Sequence, residues 1–250
     1  MAITEKLINA KDLIAESFSL IKKDKSLLIP PVLSFIACII VLPLLFFMVL
    51  LPAFTLGQGG AVLGVLISLL VLYFIPTFFN AALTCMVLEV KKGKDTRLKE
   101  GVQRAAKNVL DVFLFSVVSL VISLIASMIK GKGESRGRDV AGDVVKGAWS
   151  LVGQLILPSM ILTEHTFWSA WTEIKEYKQT IPQVLAGSFG LGILFSIALV
   201  IAGIITFFAF SINLMLGLIA VLGLIIPLIL LSNTIKTIFF TLLYIQIKKL

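Results

Sequence analysis

Residues whose types and spacing could support catalysis are scarce in this sequence. The single histidine, His165, follows Glu164, and the chain has no H-E-x-x-H pair, no G-x-S-x-G elbow and no phosphate-binding loop. One histidine cannot build a histidine-rich metal site, and Cys38 and Cys85 form no C-x-x-C motif. We therefore expect a protein that is not an enzyme and that uses no metal or other cofactor.

The remaining candidates for a binding role are polar residues in or beside apolar segments, namely Asn80, Gln154, Asn233 and Lys236. In a membrane, such amides hydrogen-bond a neighbouring helix more often than they bind a substrate. Lys236 follows an apolar run and can extend its ammonium group to the cytoplasmic surface. If the last helix instead continued to Ile247, Lys236 would lie deeper and become a functional candidate.

The composition predicts an integral membrane protein that is all-α. Hydrophobic residues make up 58% of the 250 residues and charged residues only 14%, compared with roughly half and a quarter in soluble domains. Several apolar runs reach the roughly 20 residues that a membrane-spanning helix needs. These runs show no period-two alternation, so helices are expected rather than a β-barrel.

The apolar runs group into three units, in each of which an amphipathic elbow segment precedes a helical hairpin. In chain order we predict an amphipathic lead (1–26), a first hairpin (27–88), a basic cytoplasmic link (89–108), an atypical second hairpin (109–162) with a polar loop (130–147), an interfacial helix (163–183), and a third hairpin with the C-terminal end (184–250). Together they predict a single membrane domain of about six transmembrane helices.

The basic residues predict that both termini lie in the cytoplasm of a cell-membrane protein. Lysines cluster before the first apolar run and within 89–108, whereas the link at 54–60 carries no charge. The polar loop at 130–147 conflicts with this rule, because six spans would place its basic residues outside. A re-entrant or interfacial hairpin over 109–162 would remove the conflict. We favour six spans because the run at 109–129 is long enough to cross a bilayer.

Two stripes of small residues predict close helix packing, either within the bundle or in a homo-oligomer or other membrane complex. They are Gly60, Gly64 and Ser68, and Ser188, Gly192 and Ser196. Aromatic residues of the segment 163–183 are candidate interfacial anchors, namely Phe167, Trp168, Trp171 and Tyr177. The net charge of +8 predicts contact with anionic lipid headgroups on the cytoplasmic side, and no motif points to a nucleic-acid partner.

Two stretches carry a resemblance to a known family. They are Phe78-Phe79-Asn80-Ala81-Ala82-Leu83 and Gly187-Ser188-Phe189-Gly190-Leu191-Gly192. The chain resembles a prokaryotic family of multi-pass membrane proteins classed as a domain of unknown function. More distantly, it looks like the membrane domain of some glycerophosphodiester phosphodiesterases. The resemblance implies about six membrane helices and no active residues.

The leading functional hypothesis is a non-enzymatic membrane protein that handles or senses lipid or another apolar molecule. The alternative is a structural or accessory subunit of a membrane complex, and the third hypothesis is a passive channel or transporter. Lipid in an internal cavity would favour the first, and an assembly through the Gly60, Gly64 and Ser68 stripe would favour the second. A continuous polar path past Asn80, Gln154 and Asn233 would favour the third.

Overall fold

A computed structural model describes residues 3–130, 136–174 and 180–250, which are helical over most of their length. The helices are α1 (Ile3–Lys23), α2 (Ile29–Lys91), α3 (Leu98–Lys107), α4 (Val109–Lys130), α5 (Arg136–Leu162), α6 (Phe167–Ile174), α7 (Ile181–Ile212), α8 (Leu214–Ala220) and α9 (Ile226–Lys248). A 3₁₀ turn precedes α2, and a π-helical turn joins α8 to α9. Five helical stretches are long and apolar enough to cross a membrane. The prediction of an all-α membrane protein is thereby confirmed at this level.

Helix α2 reverses direction at Gly57 and is itself a hairpin. Gly57 has φ +64° and ψ −145°, a conformation that glycine adopts without steric cost. The arms before and after Gly57 run antiparallel. A contact between them shows this, since the Ser68 hydroxyl donates to the Leu45 carbonyl oxygen across 3.4 Å. The link predicted at 54–60 is therefore mostly helical, with one residue making the turn.

The small residues of the second α2 arm let its backbone approach the first arm closely. A Cβ atom on Gly60 would lie 2.0 Å from the Pro52 carbonyl oxygen, and one on Gly64 would lie 2.4 Å from that of Met48. The stripe of Gly60, Gly64 and Ser68 thus packs against the first arm of the same hairpin.

The second small stripe does not mark the packed face of α7. A Cβ atom on Gly192 would meet no atom within 4 Å, and Ser196 is exposed. The packed face lies one residue earlier, since a Cβ on Gly187 would lie 2.0 Å from the Phe239 ring and Leu191 is buried. Gly192 and Ser196 therefore do not pack within the described bundle, because spacing alone does not fix which face of a helix turns inward. Packing between subunits through this stripe stays a prediction.

Helices α4 and α5 form an antiparallel hairpin whose second helix is longer than predicted. Helix α5 begins at Arg136, so much of the polar loop predicted at 130–147 is helical. Polar residues are compatible with helical backbone hydrogen bonding. The negative charge of Asp139, in the first turn, interacts favourably with the positive end of the helix dipole. Lys130 at the end of α4 and Asp143 of α5 form an ion pair. Hydropathy therefore underestimated the helix length.

The last hairpin joins α7 to a helical run that continues to the C-terminal end. Asn213 caps α8, its side-chain oxygen accepting a hydrogen bond of 2.9 Å from the Met215 N–H. Helix α9 continues from Ile226 to Lys248, so the last helix does not end at residue 235. Lys236 lies 12 residues before Lys248, which is about 18 Å along the helix axis.

The segment predicted as one interfacial helix, 163–183, is interrupted. Residues 163–166 are not helical, and α6 begins at Phe167, whose N–H donates a hydrogen bond of 2.8 Å to the Asp111 carboxylate. Phe167 is only 1% exposed, so its prediction as an interfacial anchor is wrong. Trp168 is 64% exposed and Trp171 is half-buried, whereas Tyr177 lies outside the described residues.

Burial is concentrated at one end of the bundle. The second arm of α2 over 81–90 and the α9 segment 234–245 are almost continuously buried. The turn regions of the first and last hairpins carry many exposed large apolar side chains, among them Phe46, Phe54 and Phe207. Such exposure suits contact with lipid.

A polar contact links the start of α2 to the loop after it. Asp24 accepts hydrogen bonds from the Ser26 N–H (2.8 Å) and the Thr96 hydroxyl (2.6 Å). Burial raises the pKa of Asp24, but the hydrogen bonds from Thr96 and Ser26 outweigh it and hold that pKa below its ordinary value. The carboxylate therefore stays charged and keeps this link at ordinary pH.

Candidate functional site

A cavity of about 300 Å³ lies between α2, α4, α5 and α9. We call it the polar cavity. All four polar residues predicted from the sequence line it, namely Asn80, Gln154, Asn233 and Lys236. They come from three different helices and are separated by up to 156 positions, so only the tertiary fold brings them together.

Helical periodicity places further polar groups on the same walls. Besides the four predicted residues, the polar lining comprises Tyr73, Thr77, Thr84, Ser119, Ser123, Lys146, Ser150 and Thr237. Thr77, Thr84 and Thr237 each donate their hydroxyl hydrogen to the carbonyl four residues earlier, so they can only accept from a ligand. Donors to a ligand must therefore come from the other side chains.

The amides provide both bonded and unbonded polar atoms. The Asn233 side-chain N–H donates to the Asn80 side-chain oxygen across 3.3 Å and joins α9 to α2. The Gln154 side-chain oxygen is buried and accepts no hydrogen bond from the described residues. A buried acceptor without a donor is costly, so this atom marks a place where a bound molecule can donate.

The charge of the cavity lining is positive. Lys146 of α5 and Lys236 of α9 both line it, and no aspartate or glutamate is among its lining residues in the part of the chain that the structure describes. Neither lysine forms an ion pair with another described residue. Lys146 was missed from the sequence because it was assigned to a loop. Lys146 precedes Gln154 by eight residues, a spacing that places both on one face of a helix, and this could have indicated its position.

Aromatic and aliphatic side chains complete the cavity. The rings of Phe115 and Trp149 stack with centroids 5.8 Å apart, and the Trp149 indole N–H donates to the Ser119 hydroxyl oxygen across 3.1 Å. Leu157 and Phe240 also line the cavity. The polar cavity thus combines polar groups with aromatic and aliphatic walls, as a pocket for an amphiphilic molecule would.

A second polar cluster surrounds Glu173 of α6, and we call it the Glu173 cluster. The Glu173 side chain is only 8% exposed and pairs with Lys248 of α9. It also accepts hydrogen bonds from the Ser159 hydroxyl and from the Tyr244 hydroxyl, the latter across 3.2 Å. His165 Nδ1 lies 3.4 Å from the same carboxylate oxygen without hydrogen-bonding geometry. Three helices and one loop therefore meet at one carboxylate.

The Glu173 cluster is suited to holding helices together rather than to chemistry. Ser159 and Tyr244 are fully buried, so neither can reach a substrate from outside. The carboxylate is stabilised by a lysine and by two hydroxyl donors, as a buried charge requires. Sequence analysis gave no signal for Glu173, whose side chain is buried among α5, α6 and α9.

No protein-family model matches the chain, and no match is found among curated proteins or among solved structures. The resemblance drawn from the two stretches at 78–83 and 187–192 therefore stays a prediction.

Proposed function

We propose that this protein is a non-enzymatic, multi-pass membrane protein that binds a lipid or a similar amphiphilic molecule in the polar cavity. The observation that carries this proposal is the convergence of Asn80, Gln154, Asn233 and Lys236 on one cavity with aromatic and aliphatic walls. Polar residues are expensive in a bilayer, and their concentration at one place favours a binding role over scattered packing roles.

Membrane depth supports a ligand taken from the bilayer. With the C-terminal end of α9 at the cytoplasmic surface, Lys236 lies about 18 Å inside, beyond the midplane of a hydrocarbon core about 30 Å thick. A lysine at that depth needs polar surroundings, which the polar cavity supplies. A head group entering the cavity would leave its apolar chains against the exposed faces of the bundle.

The topology we propose has six spans in the cell membrane with both termini in the cytoplasm. The two arms of α2, together with α4, α5, α7 and the α8–α9 run, supply six apolar passes. The amphipathic elbows α1, α3 and α6 would then lie on the cytoplasmic side. There the basic residues of α1 and α3 would be attracted to anionic lipid headgroups. The length of α5 supports a spanning second hairpin over a re-entrant one.

Cysteine labelling distinguishes the two topologies of the second hairpin. In a Ser135→Cys variant in which Cys38 and Cys85 are replaced by alanine, we expect a membrane-impermeant maleimide to label position 135 in intact cells. A Lys94→Cys variant in the same background serves as the cytoplasmic control and should react only after the cells are opened. Labelling of position 135 only in opened cells would contradict the six-span topology.

Filling the polar cavity tests the proposed function. Ser123 lines the cavity, whereas Ser127, one turn later on α4, is exposed outside it. We expect Ser123→Phe to reduce the lipid that remains bound after purification in a maltoside detergent, and Ser127→Phe to leave it at the wild-type level. Mass spectrometry of extracted lipid, per mole of protein, provides the measurement. Equal lipid retention by both variants and wild type would contradict the proposal.

A passive conduit for a small polar solute is the second candidate function. The support for it is that Asn80, Gln154 and Asn233 line the same cavity. Solute flux into vesicles that contain the protein, compared between wild type and Ser123→Phe, would reveal such a conduit. The accessory-subunit hypothesis has less support, because the stripe of Gly60, Gly64 and Ser68 is already occupied within α2.

A further inference from the structure

The chemistry of the polar cavity also specifies the class of head group that it would hold. We infer that the polar cavity selects a phosphate-bearing, anionic head group, with Lys146 and Lys236 as its cationic contacts. This inference rests on the proposed function, since it assumes that the cavity is a binding site.

The first reason is the balance of charge. The lining contains two ammonium groups and, among the described residues, no carboxylate. Two lysines that line one cavity repel each other, and a bound anion would offset that repulsion. Because the surroundings are partly apolar, the attraction between an ammonium group and a phosphate is stronger there than in water.

The second reason is the inventory of hydrogen-bond donors. Each ammonium group offers three N–H donors and no acceptor. The Asn80 side-chain oxygen accepts a hydrogen bond from Asn233, whereas the Asn80 side-chain N–H₂ donates to no other described residue. The Trp149 indole N–H already donates to the Ser119 oxygen, which leaves the Ser119 hydroxyl hydrogen available. These donors suit a ligand that is rich in acceptors, as a phosphate is.

The third reason is that the two lysines come from different walls. Lys146 is on α5 and Lys236 is on α9, and each helix places an amide, Gln154 or Asn233, on the same lining. A tetrahedral phosphate presents oxygens in several directions and can accept from both walls at once. A phosphate ester of a lipid and free inorganic phosphate share this chemistry, so the experiment must separate the two sources.

Titration by native mass spectrometry, with the protein in a maltoside detergent, tests the inference. The ligands are dioctanoyl phosphatidylglycerol, which is anionic, dioctanoyl phosphatidylcholine, which is zwitterionic, and inorganic phosphate. We expect wild type to bind the first phosphatidylglycerol molecule about tenfold more tightly than phosphatidylcholine, because both lipids carry a phosphodiester anion but the choline cation of phosphatidylcholine would be repelled by Lys146 and Lys236. Inorganic phosphate alone should compete only weakly, because it lacks the apolar chains.

Variants of Lys236 provide the matched comparison. We expect Lys236→Gln to abolish most of the tenfold preference, and Lys236→Arg to retain it because the charge is kept. Lys92→Gln makes the same change in net charge at the exposed turn after α2, outside the polar cavity, and should leave the preference unchanged. The Lys236→Arg variant shows whether a loss comes from charge or from misfolding.

The outcomes separate this inference from the proposed function. Equal affinity of wild type for the anionic and zwitterionic lipids, both lost in Ser123→Phe, would overturn the inference and leave lipid binding in place. Full competition by inorganic phosphate at the lipid's own concentration would assign the anion site to a free phosphate. An absence of any binding sensitive to Ser123→Phe would overturn both.

Discussion

Replacement of Gly60 by alanine will lower the free energy of unfolding by about 2 kcal/mol, the usual cost of overpacking a closely packed site. The added Cβ atom would lie 2.0 Å from the Pro52 carbonyl oxygen, which is far inside contact distance. Because that oxygen belongs to backbone, a side-chain rotation cannot relieve the overlap. The two arms of α2 would have to separate, and the contact between Gly64 and Met48 would loosen with them.

The neighbouring residue Gly59 provides the control for this prediction. A Cβ atom on Gly59 would meet nothing within 4 Å, and the residue is exposed. Gly59→Ala should therefore be neutral or stabilise the helix by up to about 1 kcal/mol through its higher helix propensity. Unfolding by sodium dodecyl sulfate in mixed micelles provides both values. Equal stability of the two variants would mean that the arms of α2 do not pack as described.

Replacement of Glu173 by alanine is the second change with a large expected effect. It would remove the carboxylate that pairs with Lys248 and that accepts hydrogen bonds from the Ser159 and Tyr244 hydroxyls. Breaking a buried ion pair costs about 3–5 kcal/mol, and we expect about 3 kcal/mol here because Lys248 is 31% exposed and partly screened by solvent. Glu173→Gln should cost less, since its amide oxygen still accepts from a hydroxyl.

Glu100→Ala provides a matched control, because Glu100 is an exposed carboxylate on α3. It should change the free energy of unfolding by no more than about 0.5 kcal/mol, as surface substitutions generally do. The same mixed-micelle unfolding experiment compares the three variants. A loss in Glu173→Ala as small as that in Glu100→Ala would show that the Glu173 cluster contributes little to holding α5, α6 and α9 together.

The helical membrane character of the chain could be predicted from sequence because it depends on local properties. Apolar runs of sufficient length must satisfy their backbone hydrogen bonds internally, and helices do this within each run. Helix ends were harder to predict. Arg136 and Lys248 lie at helix ends well beyond the predicted apolar runs, because a polar residue at a helix end costs little once its side chain leaves the hydrocarbon.

Four residues of the polar cavity could be predicted from the sequence, but the cavity itself could not. Asn80, Gln154, Asn233 and Lys236 stood out because each is polar within an apolar setting. Their convergence depends on how hairpins far apart in the chain pack against each other. For Lys236 the sequence left two alternatives, and the continuation of α9 to Lys248 corresponds to the one that makes it a functional candidate.

The predictions of which helix face is buried failed for one physical reason. Phe167 was predicted to anchor a helix at the membrane interface but is buried, and Gly192 and Ser196 were predicted to pack but make no close contact within the bundle. Periodicity defines the faces of a helix but not which neighbour each face meets. The hydrogen bond that Asp111 accepts at the start of α6 is a long-range contact of this kind, and it joins α6 to α4.

The binding of an amphiphilic molecule in the polar cavity is tested most directly by a crystal structure of the protein grown from a lipid phase. We expect an elongated density with its head group beside Asn80, Asn233 and Lys236 and its chains directed along the outside of the bundle. In Ser123→Phe crystals grown in the same way, that density should be missing. A wild-type cavity that is collapsed, or that contains only water beside Lys236 and Gln154, would contradict the account.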